Sequence, residues 1–217
     1  MKIFYCAGLL LTLSLTLSSC LISLQQLATY KTIITDDRLA GLWQESGKSV
    51  QVEKFKDSRY KNIFAEARNS QTPFSSDDSV FALKHYIITF REKEIDYTWV
   101  ATLVSVGSHT FISLVADEST YRNEDIYPTG GSNFKGISFA KLEWLSDKSL
   151  QIRFIDGDYV KKMILSGKAR VRHEYDPLFG TFIITASSEE LRQFLEKYGD
   201  DERLFRGGNT INLMRKT

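Results

Sequence analysis

The sequence predicts a mainly β domain, an antiparallel β-barrel with two short helices between late strands. Three observations carry this. Apolar residues recur at every second position in one stretch after another, turn residues separate several of these stretches by two or three positions, and one more strand-like stretch, Thr210 to Arg215, follows the helices. Roughly eight to ten strands in under 200 residues favour closure, because a barrel leaves no sheet edge exposed.

The clearest alternation is Ile95, Tyr97, Trp99, Ala101 and Leu103 against Asp96, Thr98 and Thr102. Leu150, Ile152 and Phe154 repeat it against Gln151 and Arg153. Weaker versions occur at Val50-Val52, Phe81-Leu83-Ile87, Phe111-Val115, Ile137-Phe139, Phe182-Ile184 and Ile211-Leu213. Val106-Gly107-Ser108-His109 and Ser146-Asp147-Lys148 read as tight hairpin turns, so the strands form a meander. The long stretch from Asp117 to Gly136, with Pro128-Thr129-Gly130-Gly131, is expected to be a mobile or functional connection, since structureless loops of this length are uncommon.

Two helices interrupt the strands. Asp158 is expected to cap Tyr159 to Ser166, with Gly167 as the stop. Ser187 and Glu190 form a capping box before Leu191, Phe194, Leu195 and Tyr198, and Gly199 ends that helix. The apolar stripe of this second helix should pack on the sheet, leaving Arg192 and Lys197 in water.

The N-terminus reads as a targeting segment. Lys2 supplies a positive charge, Ala7 to Leu17 a short apolar run, and Ser18-Ser19 the small residues that precede a signal cleavage site. The run is shorter than the roughly 20 residues that span a bilayer as a helix. Leu17-Ser18-Ser19-Cys20 resembles the lipobox of bacterial lipoproteins. That resemblance implies cleavage before Cys20, a diacylglyceryl group on its sulfur, and a membrane partner engaged through the acyl chains. Residues 1–19 are then the signal peptide, 20–35 a lipidated tether and 36–217 the barrel domain. Leu21 rather than Asp after the cysteine favours the outer membrane of the cell envelope.

Removal of residues 1–19 from 217 leaves 198, enough for one domain with a sizeable core. Lys2 is the only charge removed, so 27 basic residues face 27 acidic ones. A balanced surface gives no electrostatic reason to bind nucleic acid. Cys6 leaves with the signal and Cys20 carries lipid, so no thiol remains for a disulfide or a metal site.

Leu39-Ala40-Gly41-Leu42-Trp43 looks like the Gly-x-Trp signature of lipocalins, placed before the first barrel strand. The resemblance implies that Trp43 plugs one end of the barrel and that a basic residue of the last strand lies across it. Arg215, in phase with Ile211 and Leu213, holds that position. The helices depart from the family pattern by falling between late strands, and the cysteines that often brace the family are absent.

No reaction is legible. Gly47-Lys48-Ser49 lacks the spacing and the following helix of a phosphate loop. His85, His109 and His173 share no short metal spacing; His109 lies in a turn, and His173-Glu174 with Arg170 and Arg172 reads as a solvated face. Asp156-Gly157-Asp158 lacks the further ligands of a calcium loop, and no G-x-S-x-G elbow occurs. No cofactor and no metal are expected. The expected function is a binding lipoprotein whose interior takes an apolar small molecule or acyl chain, lined by Tyr97, Trp99 and Phe111. The alternative is an accessory lipoprotein with a filled barrel that binds an envelope protein through the 117–136 loop and the outer barrel surface.

Overall fold

The computed structural model describes residues 21–58, 83–92, 95–116 and 136–216. Cys20, the signal segment, Phe81 and residues 117–135 of the long loop lie outside the described residues. Two short strands come first, β1 (Ile22–Ser23) and β2 (Ile33–Ile34). Then follow β3 (Gly41–Glu45), β4 (Lys48–Lys54), β5 (Tyr86–Glu92), β6 (Ile95–Val106), β7 (His109–Ala116), β8 (Ile137–Ser146) and β9 (Ser149–Phe154). Each of these seven pairs antiparallel with the next. The last strand, β12 (Thr210–Arg215), lies between β9 and β3 and closes the cylinder, giving an eight-stranded antiparallel, lipocalin-like barrel.

Turn chemistry fixes this register. Ser46 and Gly47 have φ of 47° and 86°, the paired positive values of a two-residue hairpin whose twist matches the flanking strands. Gly47-Lys48-Ser49 is thus the turn and the start of β4. Alternate residues then point inward: Trp43, Val50, Val52, Tyr86, Ile88, Ala101, Leu103, Ile112, Ala140, Leu142, Leu150, Ile152 and Leu213 form one buried cluster with Leu39.

Between β9 and β12 the chain leaves the barrel and builds a second layer. It comprises α1 (Gly157–Leu165), the hairpin of β10 (His173–Asp176) and β11 (Thr181–Ile184), α2 (Ser188–Tyr198) and α3 (Arg203–Arg206). The cap of α1 is Asp156, whose side chain accepts from Tyr159 N at 3.0 Å, and not Asp158, which lies in the first turn. The acceptor must stand outside the helix to reach the free N–H groups of its first turn, and Asp156 has the extended backbone that permits this. Gly167, at φ +74°, ends the element.

The capping box of α2 is present: Ser187 Oγ accepts from Glu190 N at 3.3 Å, and Glu190 Oε2 accepts from Ser187 N at 2.8 Å. The Arg172 guanidinium, followed by the Ser187 bonds, holds the Glu190 carboxyl at about 2. Such a depressed carboxylate contributes to stability above its ordinary value of 4.5, and the contribution is lost as pH falls towards 2. Side-chain NMR titration should therefore show Glu190 still ionised at pH 3; a midpoint near its ordinary value would remove this account. Ser187→Ala should cost about 1 kcal/mol in a urea melt.

The second layer has its own core. Val104, Val106, Phe111, Ile137 and Phe139, on the outer face of β6, β7 and β8, meet Val160, Met163, Leu191, Phe194, Leu195, Leu204 and Phe205. Those barrel strands are therefore buried on both faces. Residues 21–34, expected as part of a tether, are laid onto the domain: Leu27 is fully buried, β2 pairs with β6, and β1 pairs with both β8 and β11. The pairing of β1 with β11 is parallel, Ser23 opposite Ile184.

Candidate functional site

Two Arg–Trp stacks build the end of the barrel where β3 starts and β12 stops. Trp43 has no solvent exposure and donates its indole N–H to Leu39 O at 2.9 Å. The Arg215 guanidinium lies 4.4 Å from the centre of the Trp43 ring and donates to Ala40 O and Arg38 O. Gly41, at φ +144°, leaves the space for it, since a Cβ there would stand 2.8 Å from Arg215 Nη1. Beside this stack Trp144 lies 5.9 Å from Trp43, donates to Asp36 Oδ2 at 3.1 Å, and is covered by Arg38 at 4.3 Å. The Arg38 side chain holds the Asp36 carboxyl below the ordinary range against the opposing effect of burial. Burial raises the Tyr86 phenol, whose oxygen accepts from Asp36 N at 2.8 Å and whose hydroxyl donates to Asp36 O at 3.0 Å. These are structural roles: the polar groups of Asp36, Arg38, Trp43, Tyr86, Trp144 and Arg215 are each committed to a neighbour, holding the chain entry against the last strand.

Next to the plug the described part of the barrel is filled by its own side chains. Val50, Ala101, Ile112, Ala140 and Leu150 have no accessible surface, and Val52, Ile88, Leu103 and Leu213 have at most 2%. A void large enough for water against these residues would appear as exposed surface, and none does. At the far end Tyr97 and Trp99 come together, stacked at 6.4 Å, with Phe90 edge-on to Trp99 at 5.2 Å. These three rings are half-buried and form a shallow aromatic rim. Phe111 does not join them. It is fully buried in the other core, edge-on to His109 and packed near Gly199 at the end of α2.

The histidines are dispersed among different partners. His109 Nε2 lies 2.6 Å from Asp200 Oδ1 and its side chain is 20% exposed, so it is less open than its turn position suggests. His173 Nδ1 is 2.9 Å from Val171 O, and its ring lies against Phe182. His85 is buried. Among the described residues no group of three His, Cys, Asp or Glu side chains could hold a metal ion. No described helix is long and apolar enough to cross a membrane.

Concave surface also lies on the second layer. A groove of about 580 Å³ runs along Gly167 and residues Ala169 to Glu174, bounded by Ile164, Thr185 and Glu190. An adjoining hollow of about 310 Å³ shares Gly167, Arg170 and Glu190 and adds Lys168, Phe194, Lys197 and Tyr198. Arg172 closes one wall with a bidentate pair to Glu190, 2.6 Å at its shortest. Lys168 and Arg170 make no ion pair among the described residues; the groove itself sets Arg170 and Arg172 against Glu174 and Glu190, whereas the hollow, with Lys168, Arg170 and Lys197 against Glu190, is basic. The groove reaches His173 and Glu174 at the start of β10, the terminal strand of the described sheet order. The sequence reading treated Arg170 and Arg172 as a solvated face; the clustering of Lys168, Arg170 and Arg172 was the available signal. No protein-family model matches the chain, and no curated protein or solved structure is significantly similar to it.

Proposed function

We propose that this chain is a lipid-anchored lipoprotein of the bacterial cell envelope, attached through Cys20, that holds a protein partner at the membrane. The barrel serves as its rigid frame. The observation that favours this choice over a carrier role is the packed half of the barrel next to the plug, in which Val50, Ala101, Ile112, Ala140 and Leu150 are wholly buried. An acyl chain would have to displace them. The basic hollow of Lys168, Arg170 and Lys197 suits an acidic segment of a partner through charge complementarity, and the adjoining groove reaches the start of β10, whose outer edge pairs with no strand among the described residues.

The anchor is tested with Cys20→Ala in the full chain. The protein should move from the membrane fraction to the soluble one and lose metabolic labelling by a fatty acid; retained labelling would refute the assignment. The partner reading is tested by crosslinking in intact cells, where Arg170→Glu should abolish an adduct that the unaltered chain forms. Outer-membrane residence follows from Leu21 after Cys20 and is read from density fractionation of the same cells.

A second reading keeps a small apolar ligand at the rim, because Phe90, Tyr97 and Trp99 present half-buried rings there. Native mass spectrometry of the full chain decides between them. Excess mass beyond the acylated protein, lost on denaturation, would favour the rim.

A further inference from the structure

Residues 170–176 read Arg-Val-Arg-His-Glu-Tyr-Asp, two cations before His173 and two anions at mirrored positions after it. Read backwards, the run therefore carries the opposite charge at each charged position. It leads into β10, whose only partner strand among the described residues is β11. Thr185 N donates to Arg172 O at 2.9 Å, so the alternation of an antiparallel ladder turns the backbone groups of Arg172, Glu174 and Asp176 towards β11 and those of His173 and Tyr175 outwards. Such an edge is a template for another strand, and charge blunts it when the charge repels an identical strand. Here the charge does the reverse.

The charged side chains have bonding capacity left for a second strand. Arg170 and Glu174 are exposed and make no ion pair among the described residues. Arg172 directs Nε and Nη2 at Glu190, and its Nη1 makes no hydrogen bond among the described residues. Asp176 Oδ1 accepts from Leu178 N at 2.8 Å and from Phe179 N at 3.3 Å, while Oδ2 accepts from no described residue. Those two bonds and Gly180, at φ +70°, brace the turn between β10 and β11. Its Leu178 and Phe179 are the most exposed large apolar residues described, at 83% and 80%. Single exposed apolar residues are ordinary on a surface, whereas an adjacent pair on a braced turn is not.

We propose that two copies of this chain pair edge to edge through β10, antiparallel, with the twofold axis at His173. In this register Arg172 faces Glu174 of the second copy and Arg170 faces Asp176 of the second copy, and the twofold repeats both pairs. The two His173 residues exchange N–H···O=C bonds at the axis, and Tyr175 meets Val171 of the second copy. A shift by two residues sets Glu174 or Arg172 against its own copy, so charge selects this register. The same register brings the Leu178-Phe179 turn beside the Gly167 to Ala169 segment of the second copy, where Ile164, Gly167 and Ala169 line the groove. One arrangement thus accounts for the free edge, the mirrored charges, the exposed tip and the groove. It goes beyond the partner reading above, and Lys168 and Lys197 of the hollow stay outside its charge pairs.

The test is sedimentation velocity of the purified full chain in mild detergent, unaltered, with Glu174→Arg, with Arg172→Glu, and with the two variants mixed in equal amounts. The unaltered chain should sediment as a dimer. Each variant alone sets like charges opposite one another twice, which should weaken association about tenfold or more. The mixture should form a dimer again, because every facing pair in it is opposite in sign. Circular dichroism melts report folding separately, since Arg172→Glu also removes the pair with Glu190. Phe179→Ser leaves all these charges in place and should weaken the dimer as well; unchanged association would overturn the seating of the tip. An unaltered chain that is monomeric, a Glu174→Arg chain that associates as the unaltered one does, or folded variants that stay monomeric when mixed would overturn the proposal. No second protein is present, so none of these results bears on the partner reading.

Discussion

Trp43→Ala is expected to lower the unfolding free energy by about 3–5 kcal/mol, the range for removing a large aromatic from a sealed core. Several losses coincide at this residue. The cavity opens where no water was admitted, since Trp43 is wholly buried, and Leu39 O loses the indole donor that satisfies it. The Arg215 guanidinium loses the ring beneath it, a contact worth about 0.5–2 kcal/mol depending on desolvation. Trp144 loses its neighbour at 5.9 Å. Trp43→Phe retains a ring for Arg215 but not the donor, and should fall between the two. Urea melts followed by circular dichroism measure all three proteins. With a total stability of about 5–15 kcal/mol for a domain of this kind, the alanine variant should be close to its folding limit. A loss under about 1 kcal/mol would mean that this end of the barrel is not the plug described.

Gly208→Ala is expected to cost about 2–3 kcal/mol for a different reason, overpacking against backbone. A Cβ at Gly208 would lie 1.9 Å from Phe154 O and 2.8 Å from Phe154 C. Its φ is not in the left-handed region, so the conflict is one of space alone. Phe154 N donates to Asn209 O at 2.8 Å and β9 pairs with β12 from Arg153 and Thr210 onwards, so the methyl enters where the return segment is drawn against the barrel. Relief requires moving one of the two strands at the closing seam. The same urea series reads the effect, and hydrogen exchange at Ile152 and Asn212 should show that the loss begins at this seam. An unchanged midpoint with unchanged protection would show that the seam tolerates the displacement.

The parts of this fold legible in the sequence are those determined by neighbours in the chain. The capping box at Ser187 and Glu190, the Gly107 and Asp147 turns and the alternation of β6 are all local, and each lies where the pattern put it. Phe111 shows where this reading breaks down. Period-two patterning assigns faces only when one face is wet, and Phe111 and Ile112 are both at 0% exposure because β7 divides two cores. The second layer that buries the outer face is built from residues 155–209, remote in sequence from the strands it covers. β1 is two residues long, and its parallel partner lies at the other end of the chain, so no local signal announced it. The two aspartates flanking Gly157 leave the helix start ambiguous by two residues; Asp156, half-buried between Ile155 and Gly157, is the one with the extended backbone of a cap. Leu178-Phe179 was readable in retrospect, as two large apolar residues inside an Asp-Pro…Gly turn.

The closing seam also has a consequence in time. Arg215 bonds the carbonyl of Ala40 across 175 positions of sequence, and β12 joins β3 to β9. A nascent chain therefore cannot complete the cylinder until β12 has emerged. Until then β3 to β9 are an open meander with two unsatisfied borders, a state that loop-closure entropy makes slow to leave and that invites pairing with other chains. Assembly is all or nothing and comes last, so a polypeptide shortened by a single strand remains an unclosed sheet whatever the quality of the rest of its sequence.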